Sequence, residues 1–453
     1  IVAGPEEFSS AVRDLMRNRD MSDALGRNAR ALVEKRFHWK NLARDMKDAI
    51  EEARRPHVTV FNDFPVDRPR HGGQFRIHNL YSRLALHTPV HYFCLQKESD
   101  EEEEIIISKN FTQTALPKSF LHRATESLLG RWMGNISVED ILCISFGHHN
   151  AFLLREVREA ARHGDILITV HPYLWKIIRK YRGHIRIYES LNYETELKKK
   201  TLKGILGRFL SWNTGRIERR AVRESSLVLT VSDEEWAAFE RDFGVKGKCL
   251  TIPNGTDTTQ ITPSSPEATR QIKEYLGLDG MPVALFLGSA HPPNVEAGWH
   301  IIGRIAPQVP DCLFFIVGSV CWVLKNAREI PANVKLFYEV DNASRDVFLR
   351  CADMAVNPMT TGAGTSLKMF DFLAAGLPVI STPLGARGVA DGNCDFMILN
   401  DIEEFPEAIH RLLSDTNWRS RLGIQGRRRV EECFDWGVIA QEMAGRLEDM
   451  VGK

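Results

Sequence analysis

"TTGAGTSLKMFDFLAAGLPVIST", Thr360–Thr382, reads as a glycine-rich loop, a helix and a buried strand in immediate succession. Gly362 and Gly364 precede the helix, Lys368 falls in its first turn, and "LPVIST" closes the unit. A lysine there meets the positive end of the helix dipole, which is mildly unfavourable unless an anion lies between the two. The plain reading, in which the lysine is incidental, leaves that placement unexplained. The stretch therefore raises two expectations: an α/β layer, and an anion site at its loop.

Outward from it the same alternation recurs. Apolar runs "HVTVF" (57–61), "VHYFC" (90–94), "ILCISF" (141–146), "DILITV" (165–170), "HIRIYE" (184–189), "LVLTVS" (227–232) and "CLTIP" (249–253) are predicted strands, separated by helical patterns. "TDTTQITPSSPEAT" interrupts with polar residues and proline and reads as a linker. A second series follows: "PVALFLG" (282–288), "CLFFIVG" (312–318), "NVKLF" (333–337), "DMAVNP" (353–358), "LPVIST" (377–382) and "DFMIL" (395–399). The predicted fold is α/β, with two doubly wound Rossmann-like domains facing across a cleft. Ligands of such sheets bind beyond the carboxyl ends of the strands.

The 453 residues carry 59 basic and 59 acidic side chains, so no global field favours a polyanion and nucleic acid is not an expected partner. Eight cysteines without a C-x-x-C pair read as reduced thiols of a cytosolic protein. Neither a membrane span nor a signal pattern stands out. The start at Ile1 suggests a chain cut from something longer.

The two ends resemble one another. "FSSAVRDLMRNRDMSDALGRNARALVEKRFHWKNLARDM" from Phe8 aligns without a gap on "FPEAIHRLLSDTNWRSRLGIQGRRRVEECFDWGVIAQEM" from Phe405. Phe8, Ala11, Leu15, Leu25, Gly26, Arg30, Val33, Phe37, Trp39, Ala43 and Met46 recur as Phe405, Ala408, Leu412, Leu422, Gly423, Arg427, Val430, Phe434, Trp436, Ala440 and Met443. Residues 1–55 are thus expected to be the helical tail of a preceding module of the same kind. The rest divides into a first domain over 56–258, a linker over 259–268, a second domain over 269–435 and a closing helix over 436–453.

Candidate site residues sit at strand ends. "NDFPVDRPRHGGQFRIHNL" puts Gly72 and Gly73 before a helix, where paired glycines serve a phosphate or simply a turn. His171, between an apolar strand and Pro172, is the best-placed histidine, for a ligand or for a structural hydrogen bond. His148, His149 and Asn192 are further candidates, one of the two histidines being expected to cap the next helix. Gly288 and Ser289 end the first strand of the second series. With Gly364, Thr365, Ser366 and Lys368 they bring glycine turns, backbone donors and one point charge to a single edge. Asp371, three residues after Lys368, shares its helix face; the pair suits a diphosphate and a ribose.

Two charged stretches remain. The acidic run "ESDEEEE" (98–104) reads as a solvated loop. "LKKKTLKGILGRFLSWNTGRIERR" reads either as the solvated face of a core helix or as a basic amphipathic surface for anionic lipid.

"HGGQFRIHNL", "YESLNYETELK", "VLTVSDEE", "IPNGTD", "GSAHPPNVEA", "NPMTTGAGTSLKMFDFLAAGLPVISTPLGARG" and "RLGIQGRRRVEECFDW" together resemble family 4 retaining glycosyltransferases of the GT-B fold. The resemblance runs from about His57 to the end, and the first segment resembles that family's C-terminal tail. It implies a nucleotide-diphospho-sugar donor held mainly by the second domain, a glycan or lipid-linked glycan acceptor held mainly by the first, and neither cofactor nor metal. Lys368 and Gly364–Ser366 match the family's diphosphate cradle, Asp371 its ribose-binding acid, and Gly72 and Gly73 its first-domain glycine loop. His171 resembles the histidine that contacts the transferred sugar; His148, His149 and Asn192 fall on the acceptor side.

The chain departs from the pattern at Ala363, where the family's first glutamate often stands, and at "GSAH", where many members carry a basic pair. The implied role is front-face sugar transfer in bacterial surface polysaccharide synthesis, by a cytoplasmic enzyme resting on the inner face of the plasma membrane. The alternatives are a degenerate module that binds glycan or scaffolds a tandem enzyme, and another sugar-nucleotide enzyme on the same fold.

Overall fold

The computed structural model describes residues 4, 7–96, 100–132, 139–164, 166–278, 280–338, 341–362, 364–390 and 396–452. Ala363, Cys394, Asp165 and the start of the acidic run, 98–99, lie outside the described residues. The chain divides into two compact units, Ile1–Arg55 and Pro56–Lys453.

The first unit consists of helices Phe8–Arg17, Arg19–Leu32 and Trp39–Arg54, with a π-helical turn over Val33–Phe37. Asn18 caps the second helix, its side chain accepting from the Met21 N–H at 3.0 Å.

The second unit holds two sheets. The first is built from β1 (Val58–Asn62), β2 (Val90–Gln96), β3 (Glu103–Ser108), β4 (Phe111–Pro117), β5 (Ile166–Val170), β6 (Ile185–Glu189), β7 (Leu227–Thr230) and β8 (Cys249–Thr251). Among the described residues its order is β3-β4-β2-β1-β5-β6-β7-β8, parallel except for the antiparallel β3–β4 edge. The second sheet contains β9 (Val283–Leu287), β10 (Leu313–Val317), β11 (Val334–Phe337), β12 (Met354–Asn357), β13 (Val379–Ser381) and β14 (Met397–Ile398). It is ordered β11-β10-β9-β12-β13-β14 and is parallel throughout. The central strands β1, β5 and β9 are buried along their whole length. Helices cover both faces of a parallel sheet, so its inner strands read as unbroken apolar runs.

Four expectations need correction. "ILCISF" is not a strand but the helix Glu139–Phe146, with Ile141, Leu142, Cys143 and Ile144 buried in succession. A short apolar run buried on all sides has no period that separates helix from strand. The sheet instead contains β4, a strand not expected from the sequence, whose polar alternation "FTQTALP" hides its burial. The acidic run is a loop only in part: Glu103 and Glu104 open the edge strand β3, and exposed charge suits an edge. Neither His148 nor His149 caps the following helix. Asn150 does, its side chain accepting from the Leu153 N–H at 3.1 Å.

The expected linker 259–268 is helical at its end, because Ser265 caps a helix that begins at Pro266. The crossing between the sheets is tightly held. The Arg427 guanidinium donates to the carbonyls of Thr258, Ile261 and Ala374 at 2.8, 2.6 and 2.5 Å. Asp435 accepts from the Thr258 N–H and hydroxyl. The helix Trp436–Val451 then returns to the first sheet, where Trp436, Ile439 and Met443 pack with Val58, Ile77 and Leu80.

In the basic stretch, Leu202 is buried and Lys198 pairs with Asp140, but Ile205, Phe209 and Trp212 are 81%, 58% and 61% exposed. The apolar side of the helix Gly204–Glu224 is therefore only partly a core face. Among the described residues no helix is long and apolar enough to cross a membrane.

Candidate functional site

Two helix N-termini meet between the sheets. The helix Gly72–Leu84 follows β1, and the helix Leu367–Ala374 follows β12. A Cβ on Gly72 would lie 3.1 Å from Leu367 Cδ1, and one on Gly364 would lie 3.7 Å from Asn192 Oδ1. The two glycine loops of the sequence thus face each other across the mouth, with positive dipole ends toward a shared space.

The loop before the Leu367 helix turns through Gly362 and Gly364, at φ +126° and +75°, which an L-side chain would strain. Asn357, at the buried end of β12, donates to the Gly385 carbonyl at 3.0 Å and to the Ser366 hydroxyl at 3.3 Å. Thr365 is packed against Gly388, where any Cβ would overlap it. Arg387 donates from Nε to the Gly364 carbonyl at 3.0 Å, so a second cation borders the loop.

Lys368 is half-buried. Its Nζ donates to Asn294 Oδ1 at 2.7 Å and lies 4.2 Å from the centre of the Phe286 ring. Among the described residues it forms no ion pair with a carboxylate, and burial lowers it to about 7. Asn294 in turn donates to Ser289, at 3.2 Å to both its carbonyl and its hydroxyl. The Gly288 turn is thereby linked to the Lys368 loop. Gly318 has to be glycine, because a Cβ there would overlap the Gly288 carbonyl oxygen.

Asp371 turns to partners of its own. It accepts from the Thr256 hydroxyl at 2.8 Å and pairs with Arg345 at 3.2 Å. Burial raises its carboxyl above the ordinary range in spite of Arg345 and Thr256. These residues line a cavity of about 380 Å³ together with Phe75, His78, Asn79 and Leu367.

His171, immediately after β5, has φ +61° and is the only non-glycine residue with positive φ among those described. Such a conformation in a non-glycine residue is held by its surroundings and clusters at functional sites. Nδ1 is 3.2 Å from Glu194 Oε1, and the Tyr173 hydroxyl donates to Oε2 of the same carboxylate at 2.5 Å. Burial alone would lower His171, but the adjacent Glu194, with Asp63 and Asp140 beyond it, raises it to about 9. Phe64 meets its ring edge-on at 6.1 Å.

Asp63, one residue past β1, is raised to about 6 by burial, and its Oδ1 is buried without a hydrogen-bond partner among the described residues. The His148 and His149 rings lie 4.0 Å apart, tilted by 40°, and neither lines the cavity.

Residues 281–415 match the family described as glycosyl transferases group 1. The two-sheet architecture around this stretch is the GT-B fold. Sucrose-phosphate synthase from Thermosynechococcus elongatus superimposes with a TM-score of 0.69 at 17% identity, covering 88% of this chain and all of that one. HepE from Anabaena, solved in complex with UDP, gives 0.59 at 15% identity over 87% and 100% of the two chains.

Among curated relatives, a GDP-mannose-dependent monoacylated α-(1-6)-phosphatidylinositol monomannoside mannosyltransferase from Corynebacterium glutamicum is 22% identical over 268 residues, 55% of this chain and 70% of the relative. The phosphatidyl-myo-inositol mannosyltransferase of Mycobacterium tuberculosis is 27% identical over 218 residues, 45% and 54% of the two.

The fold brings together most of the residues singled out in the sequence: Gly72, Gly288, Ser289, Gly364 to Ser366 and Lys368 around the mouth, Asp371 in the cavity beside it. Gly73 packs on Leu191 instead, a Cβ there meeting its Cδ1 at 3.4 Å. Five residues escaped notice: Asn294, Arg345, Arg387, Glu194 and Asp63. For Asn294, Arg387, Glu194 and Asp63 the signal was position only, at a strand end or in a quoted motif; Arg345, inside the helix Asn342–Cys351, carried none.

Proposed function

We propose that this chain moves a sugar, with retention of anomeric configuration, from a nucleotide-diphospho-sugar to a glycan or lipid-linked glycan acceptor in bacterial surface polysaccharide synthesis. One observation carries the reading: a half-buried lysine with no carboxylate partner among the described residues stands where two helix N-termini meet. That is an environment for a diphosphate. In this reading Lys368 and the two helix ends stabilise the charge that grows on the leaving diphosphate. The acceptor hydroxyl attacks the anomeric carbon from the face the diphosphate leaves, and its proton passes to a departing phosphate oxygen.

Asp371 and Arg345 bound the ribose site. His171, kept charged and oriented by Glu194, contacts the transferred sugar. The reaction as proposed needs no metal or cofactor. His148, His149 and Asn192 remain acceptor-side candidates, with Asn192 the one placed beside the Gly364 loop.

A peripheral contact with the cytoplasmic face of a membrane belongs to the same proposal. Ile205, Phe209 and Trp212 stand exposed among Lys199, Lys203, Arg208 and Arg216, and the Arg216 guanidinium lies 5.4 Å from the Trp212 ring. Co-sedimentation with anionic but not zwitterionic vesicles is the expected result.

The central test is a thermal-shift panel of UDP, GDP, ADP, CMP and their sugar conjugates on the wild type and on Lys368→Ala. A ligand at a hundred times its dissociation constant adds about 2.7 kcal/mol of stability. A shift with one nucleotide that disappears in the variant supports the reading; no shift with any refutes it. A second reading, a donor-binding module without transferase activity, is favoured by the absence of a lysine or arginine from Ser289–His291. Donor binding without transfer to any acceptor would select it.

A further inference from the structure

The two aligned helical segments have opposite environments. Phe405, Trp436 and Met443 are 0%, 4% and 0% exposed, whereas Phe8, Trp39 and Met46, at the same positions of the repeat, are 64%, 84% and 67% exposed. A glycine makes the same contrast. A Cβ on Gly423 would overlap the Gly376 carbonyl oxygen, so the helix Thr416–Cys433 can pass that backbone only with glycine there. Gly26 occupies the same place in the helix Arg19–Leu32 and has nothing within 4 Å of its Cβ position. Glycine inside a helix costs roughly 1 kcal/mol relative to alanine, and no contact in this unit calls for it.

The arginine behaves likewise. Arg30 pairs with Glu34 at 2.8 Å just as Arg427 pairs with Glu431 at 2.7 Å. Arg427 also donates to three carbonyls at the domain crossing, while the Arg30 side chain is 81% exposed.

We infer that residues 8–46 are the helical cap of a second GT-B module, and that their apolar face docks on the C-terminal α/β domain of that module, carried upstream in the same polypeptide. The occupant presents what Gly423 and Arg427 meet here: a turn carbonyl close enough to exclude any Cβ, and a set of carbonyls for the guanidinium. A second copy of this chain offers no such surface, because its own residues 405–443 already cover it. Only Arg55 to His57 separate the helix Trp39–Arg54 from β1 in the chain. The inference rests on the fold and the repeat, not on the proposed reaction, and failure of a transfer assay leaves it standing.

The test pairs two glycines in two proteins. In this chain Gly26→Ala is expected to leave the melting temperature unchanged or raise it, and Gly423→Ala to lower it by several degrees. In the longer polypeptide that includes the upstream residues, Gly26→Ala is expected to become as damaging as Gly423→Ala. Amides of residues 8–46 are expected to exchange at least about tenfold more slowly there than in this chain.

Indifference of the longer polypeptide to Gly26→Ala, equal exchange in both proteins, or an upstream region without an α/β domain overturns the inference. A dimer of this chain that Trp39→Ser dissociates also overturns it, by assigning the face to a second copy.

Discussion

Replacing Lys368 with methionine should make the ligand-free chain more stable while abolishing its affinity for the donor. Burial lowers the ammonium from its ordinary 10.5 to about 7, which at ~1.4 kcal/mol per pH unit sets an upper bound of ~5 kcal/mol on the cost of folding around it. The Asn294 hydrogen bond and the Phe286 ring give part of that back, roughly 1–2 kcal/mol for the ring contact alone. A net gain of about 1–3 kcal/mol is left for methionine, or roughly 2–6 °C in melting temperature.

The sign follows from linkage. Above pH ~10.5 the lysine is neutral whether the chain is folded or not, so wild type and variant should differ little. As pH falls from 10.5 toward 7, only the unfolded chain takes up the proton, and the wild type loses ground; below 7 the difference is constant. Melting of both proteins at pH 6, 8 and 10 checks the stability half. Titration with the nucleotide found in the panel checks the other half: affinity should fall about tenfold to a thousandfold in the variant. In the wild type it should weaken as pH rises above 7, because binding the diphosphate then requires taking up a proton. A variant that binds as tightly as the wild type, with no pH dependence above 7 in either protein, would refute the diphosphate site.

Other outcomes follow from neighbouring residues. His171 is raised to about 9 from an ordinary 6.5, so its pairing with Glu194 stabilises the fold fully below pH 6.5 and is lost between 6.5 and 9. The difference in melting temperature between wild type and His171→Gln should shrink over that window, and a constant difference would dissociate the histidine from Glu194. Gly72→Val should displace the flexible Leu367 terminus at the mouth and lower turnover, by at most the roughly hundredfold of a 1 Å misplacement, while melting moves little because the helix ends themselves are not forced apart. Arg427→Met removes a charged donor from three carbonyls at the crossing and should cost about 3 kcal/mol; an unchanged melting temperature would show that the crossing is held by other contacts.

The sequence by itself determined the two-sheet α/β architecture, because unbroken apolar runs such as "HVTVF" and "PVALFLG" are what strands buried on both faces of a parallel sheet require. It also placed the glycine loops and Lys368 at strand ends, since only glycine tolerates those turns and a lysine at a helix start is otherwise unfavourable. Where burial erased the period, as in the helix containing "ILCISF", or where a strand carried polar alternation, as in β4, the local pattern was ambiguous and packing decided.

Only the tertiary structure could decide partners. Asn294 lies 74 residues from Lys368 and Thr256 lies 115 from Asp371, distances over which no local preference acts. The strained His171 backbone, the Glu194 carboxylate that keeps its ring charged, and the contrast between exposed Trp39 and buried Trp436 are likewise properties of what surrounds a residue. Similar segments of sequence carry corresponding helices in both places, but whether their apolar face is covered depends on a partner domain that the segment does not encode.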